Sequence, residues 1–166
     1  DTLTQALIRF IDSGATQKGI YPLFIPCYLD GKDGIFDTPY YDFAAACDLT
    51  LFPSYYEPWG YTPHESLALG VPTVSSSLAG FGVAMEALLG RTNGSIENGV
   101  SVVTRSDGNR TEAVEAIADN VQYIASLSLE QRSEIAQRAT ELASYTDWAH
   151  FYDRYQEQID RLLSAQ

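Results

Sequence analysis

Four short apolar runs, each closed by a turn and followed by a helix-forming stretch, restrict the fold of this chain more than any other feature. They are IYPLFIPC (20–27), LTLFPS (49–54), PTVSSS (72–77) and VSVVTR (100–105). Each reads as a short strand, the first closed by Pro26 and the second by Pro53. A helix over 2–12 precedes them, with Leu3, Ala6, Leu7, Phe10 and Ile11 on one stripe and Gly14 at its end. Between them, Thr38 is placed as an N-cap, with Pro39 opening a short helix over 40–47. Pro63 opens another through HESLALG, stopped by Gly70, and AGFG (79–82) reads as a glycine turn feeding the helix VAMEALL. Residues 90–99 read as irregular, and helices are predicted over about 109–126, 129–144 and 146–164. The last two carry the stripes Ile135, Ala139, Leu142 and then Trp148, Phe151, Tyr152, Tyr155, Ile159, Leu162.

Strands alternating with helices predict an α/β chain: a Rossmann-like parallel sheet with helices on both faces. With 166 residues the chain fits one domain, 1–166, and no linker or repeat divides it. A free-standing domain of this kind usually has about five or six strands. Four strands, and a first helix with no strand before it, therefore predict a truncated domain. Ligands of such sheets sit at the loops leaving the C-terminal strand ends, here 28–38, 54–62, 77–82 and 105–109.

Charge narrows the ligands. Twenty-two acidic residues against ten basic ones give a net charge of −12, so no basic face offers itself to nucleic acid or to an anionic membrane. A phosphate would have to rely on backbone N–H groups or a helix N-terminus. Cys27 and Cys47 read as reduced thiols, and no Cys/His spacing suggests zinc. With no signal peptide, and with the sequons at Asn93 and Asn109 uninformative alone, a cytoplasmic setting is expected.

The stretch FPSYYEPWGYTPHESLALGVPTV (52–74) concentrates the chemistry. Glu57 lies in a loop after a strand, and Glu65 in the first turn of the next helix. Either carboxylate can accept hydrogen bonds from the hydroxyls of a sugar or ribose. Gly60 lets backbone approach a ligand closely. Tyr61, Thr62 and Pro63 open a helix whose free N–H groups favour an anion. Taken singly, Glu57 reads equally as a solvated loop residue, Glu65 as a first-turn acid favoured by the helix dipole, and Tyr55, Tyr56 and Trp59 as rim or core aromatics. His64 and His150 have no nucleophile or carboxylate at a telling spacing, and His64 is expected on a helix surface.

The run FPSYYEPWGYTP, continued to SSSLAGFG, resembles the E-x7-E region of retaining GT-B glycosyltransferases, and most of all the glycogen synthase family of animals and fungi. The likeness covers about residues 20–82, with a weaker echo in the Asp147–Trp148 pair. It implies the C-terminal, nucleotide-sugar-binding half of a GT-B fold. The implied activity is a hexosyltransferase moving glucose from UDP-glucose or ADP-glucose to an α-1,4-glucan with retention, with no metal or cofactor. By position, Glu57 matches the glutamate at the donor sugar near the reacting carbon. Trp59, Gly60 and Tyr61 match the loop that holds the sugar, and Thr62 the residue at the distal phosphate. Glu65 matches the ribose-binding glutamate and Tyr40 an aromatic stacked on the base. Gly80, Phe81 and Gly82 match the family's SGFG turn, read here as AGFG without the serine, and the resemblance implies that they too are substrate-binding.

The family's phosphate-binding Arg and Lys would precede Asp1, and Lys18 is not at their position. The acceptor-binding N-terminal domain is likewise expected to be absent, so the fragment alone should be inactive. The family's arginine-rich helix for glucose 6-phosphate is not recognisable, since residues 83–99 carry only Arg91. The implied partners are a nucleotide-sugar donor and, through the missing domain, a glucan; the resemblance leaves room for a homo-oligomer in the full-length protein. Two alternatives stand beside this reading: a non-catalytic nucleotide-sugar or carbohydrate-binding module, and a nucleotide-sugar epimerase on the same two-domain fold.

Overall fold

The computed structural model describes residues 2–90 and 95–164; Arg91, the Asn93 sequon and the side chain of His150 lie outside the described residues. The chain divides into two compact units, residues 1–40 and 41–166.

In the first unit, helix α1 (Thr2–Asp12) passes into a 3-10 turn, Ala15–Lys18, held between Gly14 and Gly19 at φ 77° and 81°. The expected strand over 20–27 does not form. Pro22 and Pro26 remove two ladder donors from eight residues. Ile20, Tyr21, Leu23 and Phe24 are instead exposed. The following loop closes by a single antiparallel bridge between Asp30 and Pro39. Within it the Asp33 carboxylate accepts the N–H groups of Phe36 and Ile35, both at 2.9 Å. These bonds, Phe36 first, hold the carboxyl below its usual value. The Thr38 hydroxyl donates to the Phe36 carbonyl at 3.1 Å, and helix α2 (Tyr40–Ala45) starts at the expected residue but ends two residues short of the expected 47.

The second unit is built on three parallel strands in the order β1 (Thr50–Leu51), β2 (Thr73–Ser76), β3 (Val100–Val103). Thr50 lies opposite Thr73, and Thr73 opposite Val100, so the three strands start level. Every residue of β2 and β3 is buried, as expected of parallel strands covered on both faces. Alternation along β3 sorts the core into two parts. Val100 and Val102 pack with Leu67, Phe81, Met85, Ala139, Leu142 and Ala143. Val103 joins Val74, Ile96, Ala113, Ile124 and Ile135.

The helices that supply these residues are α3 (Tyr61–Ala68), α4 (Gly80–Leu89), α5 (Arg110–Ser126) and α6 (Leu129–Ser144), with Ile96 coming from a 3-10 turn, Ile96–Asn98. Full burial of one such large apolar side chain contributes roughly 1.5–3 kcal/mol. A capping box starts α6: the Gln131 N–H donates to Ser128 Oγ and Gln131 Oε1 accepts the Ser128 N–H at 2.9 Å.

The last stripe departs from expectation. In α6, Ile135, Ala139 and Leu142 are buried. In α7 (Trp148–Ser164), Trp148, Tyr152, Tyr155, Ile159 and Leu162 are exposed, and of this stripe only Phe151 turns partly inward. Among the described residues no helix is long and apolar enough to cross a membrane.

Candidate functional site

The chain leaves β1 at Leu51 and enters α3 at Tyr61, and the loop between them is fastened by its own carbonyls. Pro53 O accepts Arg105 Nη1–H at 2.6 Å, and Ser54 O accepts the Ser76 hydroxyl at 2.5 Å. Glu57 O accepts the N–H of Gly80 at 2.9 Å, and Trp59 O that of Phe81 at 2.7 Å. Glu57 also forms a parallel bridge with Ala79. Four donors from three later segments thus fix a segment that carries a half-buried carboxylate.

These contacts explain the AGFG sequence differently from a turn. Gly80 and Gly82 lie inside the first turn of α4, which begins at Gly80. A Cβ on Gly80 would stand 2.1 Å from Pro58 O, and one on Gly82 2.0 Å from Ser76 O. Both glycines let the helix press against the Glu57 loop and the end of β2. Phe81 between them is fully buried.

Trp59 anchors the same loop. Its ring meets Phe81 and Phe151 edge-on, each at 6.0 Å between centroids, and His64 at 6.4 Å. His64 is accordingly not a plain helix-surface residue. It is half-buried and stacks on Phe81 at 6.0 Å, and its Nε2 lies 2.8 Å from Thr146 Oγ1. The Thr146 hydroxyl also lies 2.9 Å from Ala143 O, so it joins His64 to the end of α6.

Helix α3 begins two residues earlier than its proline suggested. Gly60, at φ 104°, occupies the N-cap position without a side-chain cap, and Pro63 falls where a missing N–H costs nothing. Tyr61 and Thr62 are exposed at this end, and their amides stand among the unpaired donors of a helix start. Four residues on from Tyr61, Glu65 Oε1 accepts the Tyr41 hydroxyl at 3.0 Å. Ser66 and Thr50 share a hydroxyl contact of 2.6 Å that ties α3 to β1.

Of the residues selected from sequence, Glu57, Trp59, Gly60, Tyr61, Thr62, Glu65, Gly80, Phe81 and Gly82 all fall in the second unit, on the exits of β1 and β2 and the helices they feed. Tyr40 falls in the first unit. Sequence reasoning passed over Tyr41 and Arg105. The available signal for Arg105 was its place: an arginine as the last residue of a strand run, in a chain with few cations. Among the described residues no three His, Cys, Asp or Glu side chains come together as metal ligands.

A parallel α/β unit that presents a carboxylate and an open helix N-terminus on its strand exits belongs to the class of proteins that can hold small polar, hydroxyl-rich or anionic ligands there. Comparison with known proteins makes this specific. Residues 8–165 match the family model described as Glycogen synthase, and the chain belongs to the glycogen synthase family. It is 36% identical over 126 residues to glycogen [starch] synthase isoform 1 of Saccharomyces cerevisiae, covering 76% of this chain and 18% of that protein. It is 32% identical over 148 residues to the glycogen [starch] synthase of Caenorhabditis elegans, covering 89% of this chain and 22% of that protein. A third relative, from Dictyostelium discoideum, is 28% identical over 148 residues. The chain thus spans about a fifth of the length of these relatives.

Proposed function

We propose that this chain is the donor-binding part of a retaining glucosyltransferase that moves glucose from UDP-glucose, or ADP-glucose, to the end of an α-1,4-glucan. The observation that carries the reading is the fixed Glu57 loop running directly into the uncapped start of α3. As the bond from the sugar to the diphosphate loosens, positive charge grows at the sugar and negative charge at the leaving group. Glu57 faces the first, stabilising it and orienting the sugar hydroxyls. The amides of Tyr61 and Thr62, with the α3 dipole, meet the second. Gly60 and Trp59 shape the sugar seat, and Glu65, with Tyr41 on its carboxylate, binds the ribose. Tyr40 stacks on the base, and Gly80, Phe81 and Gly82 support the loop from behind. The chain serves as the C-terminal half of a GT-B fold and the glucan is held by a separate N-terminal domain, so this segment alone does not turn over.

Two neutral substitutions in the full-length protein test the roles. Glu57→Gln removes a charge needed mainly in the transition state, so kcat should fall by about a hundredfold or more with KM little changed. Glu65→Gln removes binding felt alike in ground and transition states, so KM for the donor should rise while kcat stays within about threefold. The reading is wrong if Glu57→Gln turns over normally. A second check uses radiolabelled UDP-glucose and glycogen with residues 1–166 alone, for which no incorporation above blank is expected.

A further inference from the structure

We propose that Arg105 is a positioning residue for the Glu57 loop, holding the exits of β1, β2 and β3 in one register; the inference rests on the transferase reading above. Three contacts carry it. Arg105 Nη1 donates to the Pro53 carbonyl at 2.6 Å, across 52 positions of sequence. The guanidinium carbon lies 3.8 Å from the centre of the Tyr55 ring, over its face. The Arg105 backbone N–H donates to Ser77 Oγ at 3.0 Å. One residue therefore grips the segment two to four positions ahead of Glu57 by its head, and the segment just before α4 by its backbone.

Most of the head is taken up by the protein itself. Its Nη1 is engaged, one face is covered by Tyr55, and its Nε is shut away from solvent without a partner. A flat guanidinium suits this task because it can send an in-plane N–H to a carbonyl while its face lies on an aromatic ring. The other carbonyls of the loop are held by Ser76, Gly80 and Phe81, which come from β2 and α4. Arg105 alone among these four donors brings in β3, and it holds the stretch nearest the strand. Without it, Pro53–Tyr56 loses its fastening to β3, and the carboxylate of Glu57 must be ordered afresh in each turnover. That cost falls on the chemical step, where geometry is most demanding.

The test has two arms. In the full-length protein, Arg105→Ala should lower kcat about ten- to hundredfold, the size expected of a slightly misplaced group. KM for the nucleotide sugar should stay within about threefold. Arg105→Lys should recover part of kcat, since an ammonium reaches the Pro53 carbonyl but cannot lie flat on Tyr55. The second arm needs no turnover: hydrogen exchange at the amides of Tyr55, Tyr56, Glu57 and Trp59 should quicken at least about tenfold in Arg105→Ala, with exchange in β2 unchanged. Two results overturn the proposal. A raised KM with kcat kept would make Arg105 a ligand contact. Unchanged kcat and loop exchange, even with a lower Tm, would leave it a structural residue only. If the unsubstituted protein transfers no glucose, the functional reading fails, and the exchange arm still decides whether Arg105 positions the loop. Should Arg105→Ala not fold, Arg105→Lys carries both arms.

Discussion

The starts of α3 and α4 are built from similar sequence and do opposite things. Each follows a parallel strand, and each has glycine and an aromatic residue at its first turn. At α3, Gly60 swings the chain through φ 104° and leaves Tyr61 and Thr62 exposed to solvent. At α4, the amides of Gly80 and Phe81 are already bonded to the carbonyls of Glu57 and Trp59, and the two glycines sit against backbone. The first helix start faces solvent, and the second fastens the loop that leads into the first. A glycine-rich strand–helix junction therefore does not define a ligand site by composition. What matters is whether its amides already have acceptors.

Substitutions at the glycines should separate the two. Gly82→Ala is expected to have the largest effect, because its Cβ would meet Ser76 O at 2.0 Å and neither backbone can yield cheaply. A loss of about 3 kcal/mol or more should appear in urea unfolding. Gly60→Ala should cost less, about 1–3 kcal/mol, since the strain is one unfavourable backbone angle and the nearest contact, Pro63 Cγ at 3.2 Å, is a side chain. Equal losses at the two sites would erase the distinction. Smallest of all, Thr62→Ala at the open start should leave stability within about 0.5 kcal/mol. Its effect belongs in nucleotide-sugar affinity, read by titration calorimetry on the full-length protein. A drop in stability without a drop in affinity would place Thr62 with the supporting residues.

Much of the second unit was legible in sequence because its strands and helices are local signals. β2 and β3 lie within the expected runs, and α5 to α7 within a residue or two of their expected limits. The strand over 20–27 failed because apolar content outweighed its two prolines in the reading, and a strand also needs a neighbour to pair with. The stripe of α7 shows that helical periodicity reveals which face is apolar, not whether anything covers it. At the candidate site, Glu57, Gly60 and Glu65 stood out through their spacing. Arg105 and Tyr41 did not, since each matters through a partner 52 or 24 positions away. Such pairings depend on strand order, which no local window contains.

The two tryptophans also differ in their surroundings, and this gives the chain an optical handle. Trp59 is wedged among Phe81, Phe151 and His64, whereas Trp148 is 67% exposed. Trp59 is half-buried, so emission should divide into a bluer component that iodide quenches less and a redder component that it quenches more. The bluer component arises two residues from Glu57. Fluorescence recorded in the presence of iodide therefore reports on the Glu57 loop from within, without any attached dye.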